Sequence, residues 1–465
     1  MTVMPNRAPQ SMPPLIKKDV DLIVSAPWIL PVVPANKLFQ NCSLVVKDSR
    51  ILAIEPSLRI EERYQAKETV VLTSHCLMPG LINLHGHAAM TLLRGYADDL
   101  PLERWLSEKI WPAEAAKVSA DFVRAGTELA IAEMLASGTT CFSDMYFFPD
   151  AAADAALRAG MRAQVFFPVF DFPSSWGKDA DEYISKGLAL NDEHRSSSLI
   201  GVGFGPHAPY TVADKALERI AVLSEEMQAL VHIHLHETAQ EVNDAVAKDG
   251  RRPIQRLAEL GLLSPRMHAV HMTQASNDDI AMLAEHGAHM VHCPSSNLKL
   301  ASGFARAAAI AAAGVNIALG TDGAASCNHL DLFSEMRLAA LLAKGVSGDA
   351  SALPAQQALE CATINAARAL GRDDDLGSLS AGKLADVIAV QLDGLGQQPG
   401  LQEPGAQAAN DSSATRQRLL SHLVYTHSGS QVSHSWIGGR CVLDEGHLQN
   451  GIYERAKDAL RFAAR

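Results

Sequence analysis

Between residues 78 and 345, short apolar runs alternate eight times with segments whose apolar residues follow the helical period. The apolar runs occupy residues 78–85, 139–147, 161–170, 199–207, 229–237, 266–272, 288–294 and 315–323. Runs that are apolar throughout are typical of strands buried on both faces of a parallel sheet. Eight strands, each followed by a helix, are the count of a (β/α)8 barrel. The sequence therefore predicts an α/β fold with a TIM barrel over residues 79–375.

Both ends of the chain differ in character from the barrel region. Residues 20–78 and 376–455 contain short runs rich in β-branched residues and broken by turn residues, which is typical of strands. We expect these flanks to pair with each other in a smaller β domain built from both termini. The Gly-, Pro-, Gln- and Ser-rich segment 394–418 is expected to be an exposed loop, and residues 1–19 a disordered tail.

Composition limits the classes of function. The chain has 465 residues, 48% of them hydrophobic, and a net charge of −12. This acidic balance argues against nucleic acid or an anionic membrane as a partner, since both attract basic patches. The seven cysteines are dispersed without a Cys-x-x-Cys pair, the N-terminus has no apolar signal segment, and no run approaches the roughly 20 apolar residues of a membrane span. We expect a cytoplasmic protein with reduced thiols.

Side chains that bind metals stand at the carboxyl ends of most of the predicted strands. They are His85, His87, His207, His234, His236, Glu237, His271, His292 and Asp322. A lone His-x-His pair is weak evidence for a metal site, but this set would meet at one rim of the barrel, where active sites of the fold lie. Imidazole and carboxylate are the ligands of catalytic zinc, which keeps one position for water. The alternative is that each histidine satisfies its own local hydrogen bonds.

Five motifs carry a resemblance to a known family. They are "NLHGHAAMTLLRG", "GFGPHAPYT", "HIHLHET", "HCPSSNLKLASG" and "GTDGAASCNHLDLFSEMR". In this order they resemble the amidohydrolase superfamily, and within it the 5′-methylthioadenosine/S-adenosylhomocysteine deaminase group. The resemblance extends from about residue 20 to residue 455. It implies a distorted barrel, a β-sandwich of both chain ends, one divalent metal ion that ligand type suggests is zinc, and a homo-oligomer.

The resemblance also implies the ligand set. Alternation places His232, His234 and His236 on one side of the fifth strand, and the spacing alone does not choose between them. The family pattern prefers His234, three residues before the glutamate. The implied metal ligands are then His85, His87, His234 and Asp322.

Catalytic roles follow from the same resemblance. His271 aligns with the histidine that holds the reactive water, and Asp322 with His271 would accept its proton. Glu237 would protonate the purine ring and then the leaving amine, which a dry pocket would favour by raising its pKa. The product would be an inosine analogue plus ammonia. His268 is expected to be structural.

Substrate contacts are implied at three further positions. Glu114 matches the family residue that binds the ribose hydroxyls, Trp105 an aromatic residue that packs on the nucleoside, and His207 a histidine that contacts the substrate. The alternatives are that Trp105 belongs to the core of an amphipathic helix and that Glu114 is a solvated acid in the first turn of a helix.

The sequence departs from the family after the third strand. Members that accept S-adenosylhomocysteine are expected to meet its carboxylate with arginines there, whereas Phe167 stands at such a position. Burying a carboxylate without a cation is costly. Phe167 and Trp176, with Phe170 and Phe172, would instead suit a thioether tail. We therefore expect 5′-methylthioadenosine to be preferred.

Other functions remain open on the same scaffold. They are deamination of S-adenosylhomocysteine or adenosine, hydrolysis of a chlorinated or aminated triazine, and deamination of guanine. A different class, a non-enzymatic interaction scaffold, is disfavoured because such barrels usually lack the ligands that this sequence retains.

Overall fold

The computed structural model describes residues 17–398, 400–401, 412–426 and 429–463. The predicted disordered tail, except for its last three residues, lies outside this range, as do residues 399 and 402–411 of the predicted loop.

The strands and helices follow in chain order. The strands are β1 (Lys18–Ile29), β2 (Phe39–Lys47), β3 (Arg50–Pro56), β4 (Tyr64–Val71), β5 (His75–Pro79), β6 (Leu81–Asn83), β7 (Thr139–Asp144), β8 (Arg162–Val169), β9 (Ile200–Pro206), β10 (Val231–Leu235), β11 (Met267–His271), β12 (His289–His292), β13 (Ile317–Leu319), β14 (Val387–Gln391), β15 (Val432–Ile437), β16 (Arg440–Asp444) and β17 (His447–Leu448). The α-helices are α1 (Ile60–Arg63), α2 (Leu102–Arg104), α3 (Trp111–Lys117), α4 (Ala120–Ala136), α5 (Pro149–Ala159), α6 (Ala180–His194), α7 (Asp214–Met227), α8 (Ala239–Asp249), α9 (Pro253–Glu259), α10 (Asn277–His286), α11 (Pro294–Lys299), α12 (Ala307–Ala312), α13 (Ala324–Cys327), α14 (Leu332–Ser347), α15 (Ala355–Cys361), α16 (Ile364–Ala369), α17 (Ser412–Ser421) and α18 (Ile452–Ala463).

Strands β6 to β13 form the barrel. They pair in chain order, and every pair is parallel. The first and last strands meet where the Leu84 N–H donates to the Leu319 carbonyl at 2.9 Å. Every residue of β7, β10, β11 and β12 is buried, as expected for strands covered by helices on one side and packed into the barrel on the other. The predicted barrel is confirmed.

The two ends of the chain form a second, largely antiparallel sheet of nine strands. Its order is β17-β16-β15-β14-β5-β1-β2-β3, with β4 beside β1. Hydrogen bonds from Ile51 N to Lys383 O (2.8 Å) and from Ala385 N to Ser49 O (2.9 Å) join the β3 edge to the chain entering β14. The sheet therefore curls over an apolar cluster that includes Trp436 and strands from both termini, as the sequence predicts.

The chain passes from this sheet to the barrel at Gly80. A Cβ at Gly80 would lie 2.1 Å from Thr140 Oγ1, so a larger residue does not fit. The predicted single strand 78–85 is in fact the end of β5 and the whole of β6, which belong to different sheets. A buried ion pair joins the two sheets nearby, since Arg162 Nε at the start of β8 lies 2.6 Å from Asp386 Oδ2.

The C-terminal part of the chain contains helices that the sequence reasoning missed. Residues 412–418, predicted as loop, belong to α17, and α18 packs against the barrel helix α4. All seven cysteines lie in the described residues and none forms a disulfide. Within the described ranges, no helix combines the length and apolarity that crossing a bilayer requires.

Candidate active site

The ends of β6 and β13 bring the first ligand-type side chains together. The Asp322 N–H donates to the His85 carbonyl at 3.0 Å. A Cβ at Gly320 would lie 2.6 Å from the Cβ of His85, so the approach of the two strands requires glycine. Asp322 itself has a φ of +64°, a conformation that non-glycine residues rarely adopt. This local strain is of the kind found at functional sites.

Five of the predicted residues converge at this point. His85 Nε2 lies 3.4 Å and His87 Nε2 3.2 Å from Asp322 Oδ1. His85, His234 and His271 form a second group whose ring nitrogens lie within 4.8 Å of one another. His85 Nε2 is buried and has no hydrogen-bond partner in the described part of the chain. Imidazole nitrogens and a carboxylate converging on an unpaired buried nitrogen fit a divalent cation such as zinc.

Backbone carbonyls fix the tautomers of two of these histidines. His87 Nδ1 lies 2.6 Å from the Met145 carbonyl, and His234 Nδ1 lies 2.7 Å from the His207 carbonyl. A carbonyl only accepts hydrogen bonds, so each Nδ1 carries a proton, and Nε2 is the nitrogen that has the lone pair whenever the ring is neutral. Both side chains are therefore oriented as metal ligands.

His271 lies at the end of β11 between an amide and a carboxylate. Its Nδ1 lies 2.8 Å from Asn297 Oδ1, and its Nε2 lies 3.7 Å from Glu237 Oε2. The φ of His271 is +75°, which turns the side chain out of the regular strand direction. The ring is thus held where it can exchange a proton between the cation site and Glu237.

The electrostatics of the site are set by burial and by Asp322. Burial opposes ionisation of Asp322, but His85 and His87 hold its pKa well below the usual range. Burial also opposes protonation of His87, yet the Asp322 carboxylate raises the pKa of His87 to about 9. The second oxygen of Asp322 accepts hydrogen bonds from Ser296 Oγ at 2.6 Å and Ser326 Oγ at 3.0 Å. The Asp322 carboxylate therefore stays ionised although it is buried.

Glu237 lies beside this centre and is 7% exposed. Burial raises its pKa, and Ser302 Oγ donates to its Oε1 at 3.3 Å. A carboxyl group with a raised pKa holds its proton to higher pH than an ordinary glutamate does, and it can release that proton to a basic partner.

A cavity opens above these side chains. The predicted residues that line it are His87, Trp105, Glu114, Phe170, Phe172, His207, His234, Glu237, His271 and Asp322. Trp105 lies on a π-helical turn between α2 and α3, and its Nε1 donates to the Ala97 carbonyl at 3.0 Å. Glu114 accepts a hydrogen bond from Tyr146 Oη at 2.7 Å, and burial raises the pKa of Glu114 to about 7.

Two predicted substrate residues do not line this cavity. Phe167 is 1% exposed and packs between the barrel and α6, where its ring would collide with a Cβ on Gly187. Alternation along β8 explains this, because its neighbour Pro168 faces the cavity instead. Trp176 is buried against Tyr183, away from the cavity wall. Phe167 and Trp176 therefore do not face a substrate bound in this cavity, contrary to the expectation from the sequence.

Several residues that line the cavities were not predicted from the sequence. Tyr146 and Tyr210 line the wall, and Lys248 and Arg251 line a second cavity that shares Tyr210 with the first. Nothing in the sequence distinguishes these positions from ordinary loop or helix residues.

His236, which the strand alternation allows as a ligand, lies outside the cluster. Its Nε2 accepts a hydrogen bond from the Ile254 N–H at 3.2 Å, and its Nδ1 lies 3.4 Å from Asp279 Oδ2. The ring thus faces α9 and α10, which leaves His234 as the residue of β10 that faces the cation site.

Comparison with known proteins agrees with this geometry. Residues 76–442 match the Amidohydrolase family. A 5-methylthioadenosine/S-adenosylhomocysteine deaminase of Saccharophagus degradans is 53% identical over 444 residues, covering 95% of this chain and 96% of the relative. A protein of the same name from Teredinibacter turnerae is 55% identical over 429 residues, covering 92% of this chain and 93% of the relative.

A solved structure is also similar over nearly its whole length. It is an adenosine deaminase from Xanthomonas campestris with bound zinc, 43% identical in sequence with a TM-score of 0.90. The match covers 97% of this chain and 100% of that one.

Proposed function

The chain belongs to the amidohydrolase family, and we propose that it is a metal-dependent hydrolase that removes the 6-amino group of an adenine nucleoside. The products are the inosine analogue and ammonia. The single observation that carries this proposal is Glu237, a buried carboxyl group with a raised pKa beside a cluster of imidazoles and a carboxylate. Deamination of a purine needs both an activated water and an acid that protonates the ring.

The four proposed ligands are His85, His87, His234 and Asp322, and the zinc in the Xanthomonas relative supports the choice of zinc. A divalent cation held there would lower the pKa of water and so supply a nucleophile at neutral pH. Asp322 and His271 would orient that water and accept its proton. Glu237 would give its proton to the purine ring nitrogen, which makes C6 electrophilic. Its carboxylate would then take the first water proton from His271, whose Nε2 lies 3.7 Å away, and pass it to the departing amine. The second water proton would return to Glu237 as the C6 carbonyl forms.

The cavity wall supports a nucleoside with a small apolar tail. Glu114 is the candidate acceptor for the ribose hydroxyls, with Tyr146 holding its carboxylate at 2.7 Å. Trp105 supplies an aromatic face, and Phe170 and Phe172 provide apolar surface. Among the described residues that line this cavity there is no lysine or arginine to meet a carboxylate. We propose 5′-methylthioadenosine as the preferred substrate on this basis.

S-Adenosylhomocysteine is the second candidate, and a specific feature favours it. The adjoining cavity contains the cationic side chains Lys248, Arg251 and Arg256. Arg251 pairs with Glu259, and Arg256 Nε lies 2.7 Å from Asp214 Oδ1, so both cations are already compensated. A homocysteine tail would have to reach across Tyr210 and compete with these acids.

Ammonia release tests the proposal. Zinc-loaded enzyme is compared on 5′-methylthioadenosine, S-adenosylhomocysteine, adenosine and guanine, with kcat/KM measured for each. We expect 5′-methylthioadenosine to have the highest value. A higher value for S-adenosylhomocysteine would refute the substrate preference, and no release from any adenine nucleoside would refute the activity.

The variant Glu237→Gln separates ring protonation from metal binding. It keeps the size of the side chain and removes its transferable proton. We expect kcat to fall by about 10²- to 10⁴-fold, the usual contribution of a general acid, while zinc content stays that of the wild type. Unchanged kcat would exclude Glu237 as the proton donor.

A further inference from the structure

A chain of hydrogen bonds runs from His85 into the barrel floor. His85 Nδ1 lies 2.8 Å from His232 Nε2, and His232 Nδ1 lies 3.1 Å from His268 Nδ1. The chain ends where His268 Nε2 lies 2.9 Å from the Ala369 carbonyl. All three rings are completely buried. Neither His232 nor His268 lines the substrate cavity, so neither takes part in the proposed reaction directly.

The carbonyl at the end fixes the direction of every bond in the chain. The Ala369 carbonyl can only accept, so His268 carries its proton on Nε2. A neutral His268 must then accept at Nδ1, which requires His232 to carry its proton on Nδ1. A neutral His232 accepts at Nε2 in turn, so His85 carries its proton on Nδ1. His85 Nε2 is left with a free lone pair facing Asp322.

We call His85, His232 and His268 the relay. Burial keeps its rings neutral, as the direction of the hydrogen bonds requires. The ring of Phe166 stacks on His232 with centroids 4.4 Å apart and meets His268 edge-on. Charging an imidazole against these apolar surfaces without a carboxylate partner is costly. Burial, with His289 nearby, lowers the pKa of His268 to about 3.

We propose that His232 and His268 are positioning residues that transmit the orientation of the Ala369 carbonyl to His85 and thereby hold its Nε2 ready for the metal ion. Nδ1 of His87 and Nδ1 of His234 each donate directly to a backbone carbonyl, so the tautomers of these two rings need no such relay. Nδ1 of His85 instead faces another imidazole, which can donate or accept a hydrogen bond. The tautomer of His85 is therefore fixed only when the tautomer of His268 is fixed. The inference rests on the proposed metal centre and not on the identity of the substrate.

Removing the last residue of the relay tests the proposal. In His268→Leu, His232 loses its acceptor and can adopt the opposite tautomer, which places the proton of His85 on the ligating nitrogen. We expect zinc binding, measured by competition with a chromophoric chelator, to weaken by at least about tenfold, as for lost outer-sphere partners. In His268→Gln, the amide can accept from His232 and donate to Ala369, so zinc binding should return to near the wild-type value.

The matched control is His289→Leu. His289 is also buried, and its ring centroid lies 5.9 Å from that of His268, but its Nε2 bonds the Pro265 carbonyl outside the relay. This variant should bind zinc like the wild type. Equal losses in His289→Leu and His268→Leu, or no loss in His268→Leu, would overturn the proposal.

A spectroscopic readout does not depend on metal or activity. In the metal-free protein labelled with ¹⁵N-histidine, the imidazole shifts report which nitrogen of each ring is protonated. We expect protons on Nδ1 of His85, Nδ1 of His232 and Nε2 of His268, and loss of that pattern in His268→Leu. A wild-type proton on His85 Nε2 would overturn the relay. If the wild type bound no zinc, the proposed metal centre would fail, and this readout would still decide the relay.

Discussion

At the amino end of β8, the carboxylate of Asp386 accepts two hydrogen bonds from Arg162, at 2.6 and 3.0 Å, and a third from the Gly438 N–H. At the carboxyl ends of the strands, Glu237 is also buried, but its Oε1 has only Ser302 as a hydrogen-bond donor and its pKa is raised. His85 Nε2 is buried there without any hydrogen-bond partner among the described residues. At the amino end the buried carboxylate of Asp386 is fully paired within the protein, whereas at the carboxyl end Glu237 and His85 Nε2 keep hydrogen-bonding capacity that a ligand can use.

This difference separates residues that hold the fold from residues that act on a ligand. A buried pair with complete hydrogen bonding has no spare capacity for another molecule, so its loss affects stability. A buried group held short of its hydrogen-bonding capacity costs stability and persists where function requires it. The following predictions test that separation.

The variant Asp322→Asn should give the largest effect. It keeps the volume and one acceptor oxygen, but it removes the negative charge that faces His85 and His87. Loss of metal affinity and of a proton acceptor should lower kcat/KM by about 10⁴-fold or more. The metal-free protein should lose about 1.5–3 kcal/mol of its free energy of unfolding, the value of hydrogen bonding to a charged group, because His87, Ser296 and Ser326 lose the carboxylate; this is less than the loss expected for Arg162→Met. Retained activity, or a large loss of stability without metal, would blur the distinction between the two ends.

The variant Arg162→Met should give the converse result. It leaves the Asp386 carboxylate buried without a cation, which should lower the free energy of unfolding by about 3–5 kcal/mol. Below the unfolding transition, kcat/KM should equal that of the wild type, because Arg162 begins β8 and the cavity lies at its other end. Denaturant unfolding and steady-state kinetics measure the two quantities. In Arg162→Met/Asp386→Asn the unpaired charge is gone, so part of the lost stability should return; a double variant as unstable as the single one contradicts the charge-based explanation.

The barrel end that carries function was the easier of the two to predict from sequence. Few apolar runs end in a histidine or an acid by chance, so their repeated occurrence here predicts that these side chains meet at one rim of the barrel. His85, His87, His234, His271 and Asp322 do converge there. The change from one sheet to the other at Gly80 could not be predicted in the same way. β5 pairs with β14, some 300 residues further along, whereas β6 pairs with β7. The Pro79-Gly80 dipeptide marks a break in the apolar run, but it does not say which sheet each half joins.

The faces of buried strands were equally hard to predict. On β8, Phe167 and Pro168 are both apolar, so the sequence has no polarity that tells the helix side from the cavity side. On β10, alternation puts His232 and His234 on one side, but only the depth within the barrel separates a relay residue from a proposed ligand. The ionisation of Glu114 was also beyond the sequence, because its pKa depends on how completely α3 buries it.

Glu114 gives the smallest predicted effect and tests the functional end most finely. Burial raises its pKa from 4.5 to about 7, so the folded protein binds this proton more tightly than the unfolded chain does. The carboxylate therefore costs stability as pH rises through that window, and Glu114→Gln should be more stable than the wild type at pH 8 but not at pH 4.5.

If the ionised form accepts the ribose hydroxyls, the variant should raise KM for 5′-methylthioadenosine by about tenfold at pH 8, the value of a hydrogen bond to a charged group. Tyr146→Phe removes a hydrogen bond that lowers this pKa in the folded protein, so the stability loss of that variant should begin at the same pH but continue to a higher pH. Thermal unfolding and KM measured across pH 4.5 to 8 decide the case, and a Glu114→Gln protein with wild-type KM throughout would show that this acid does not bind the ribose.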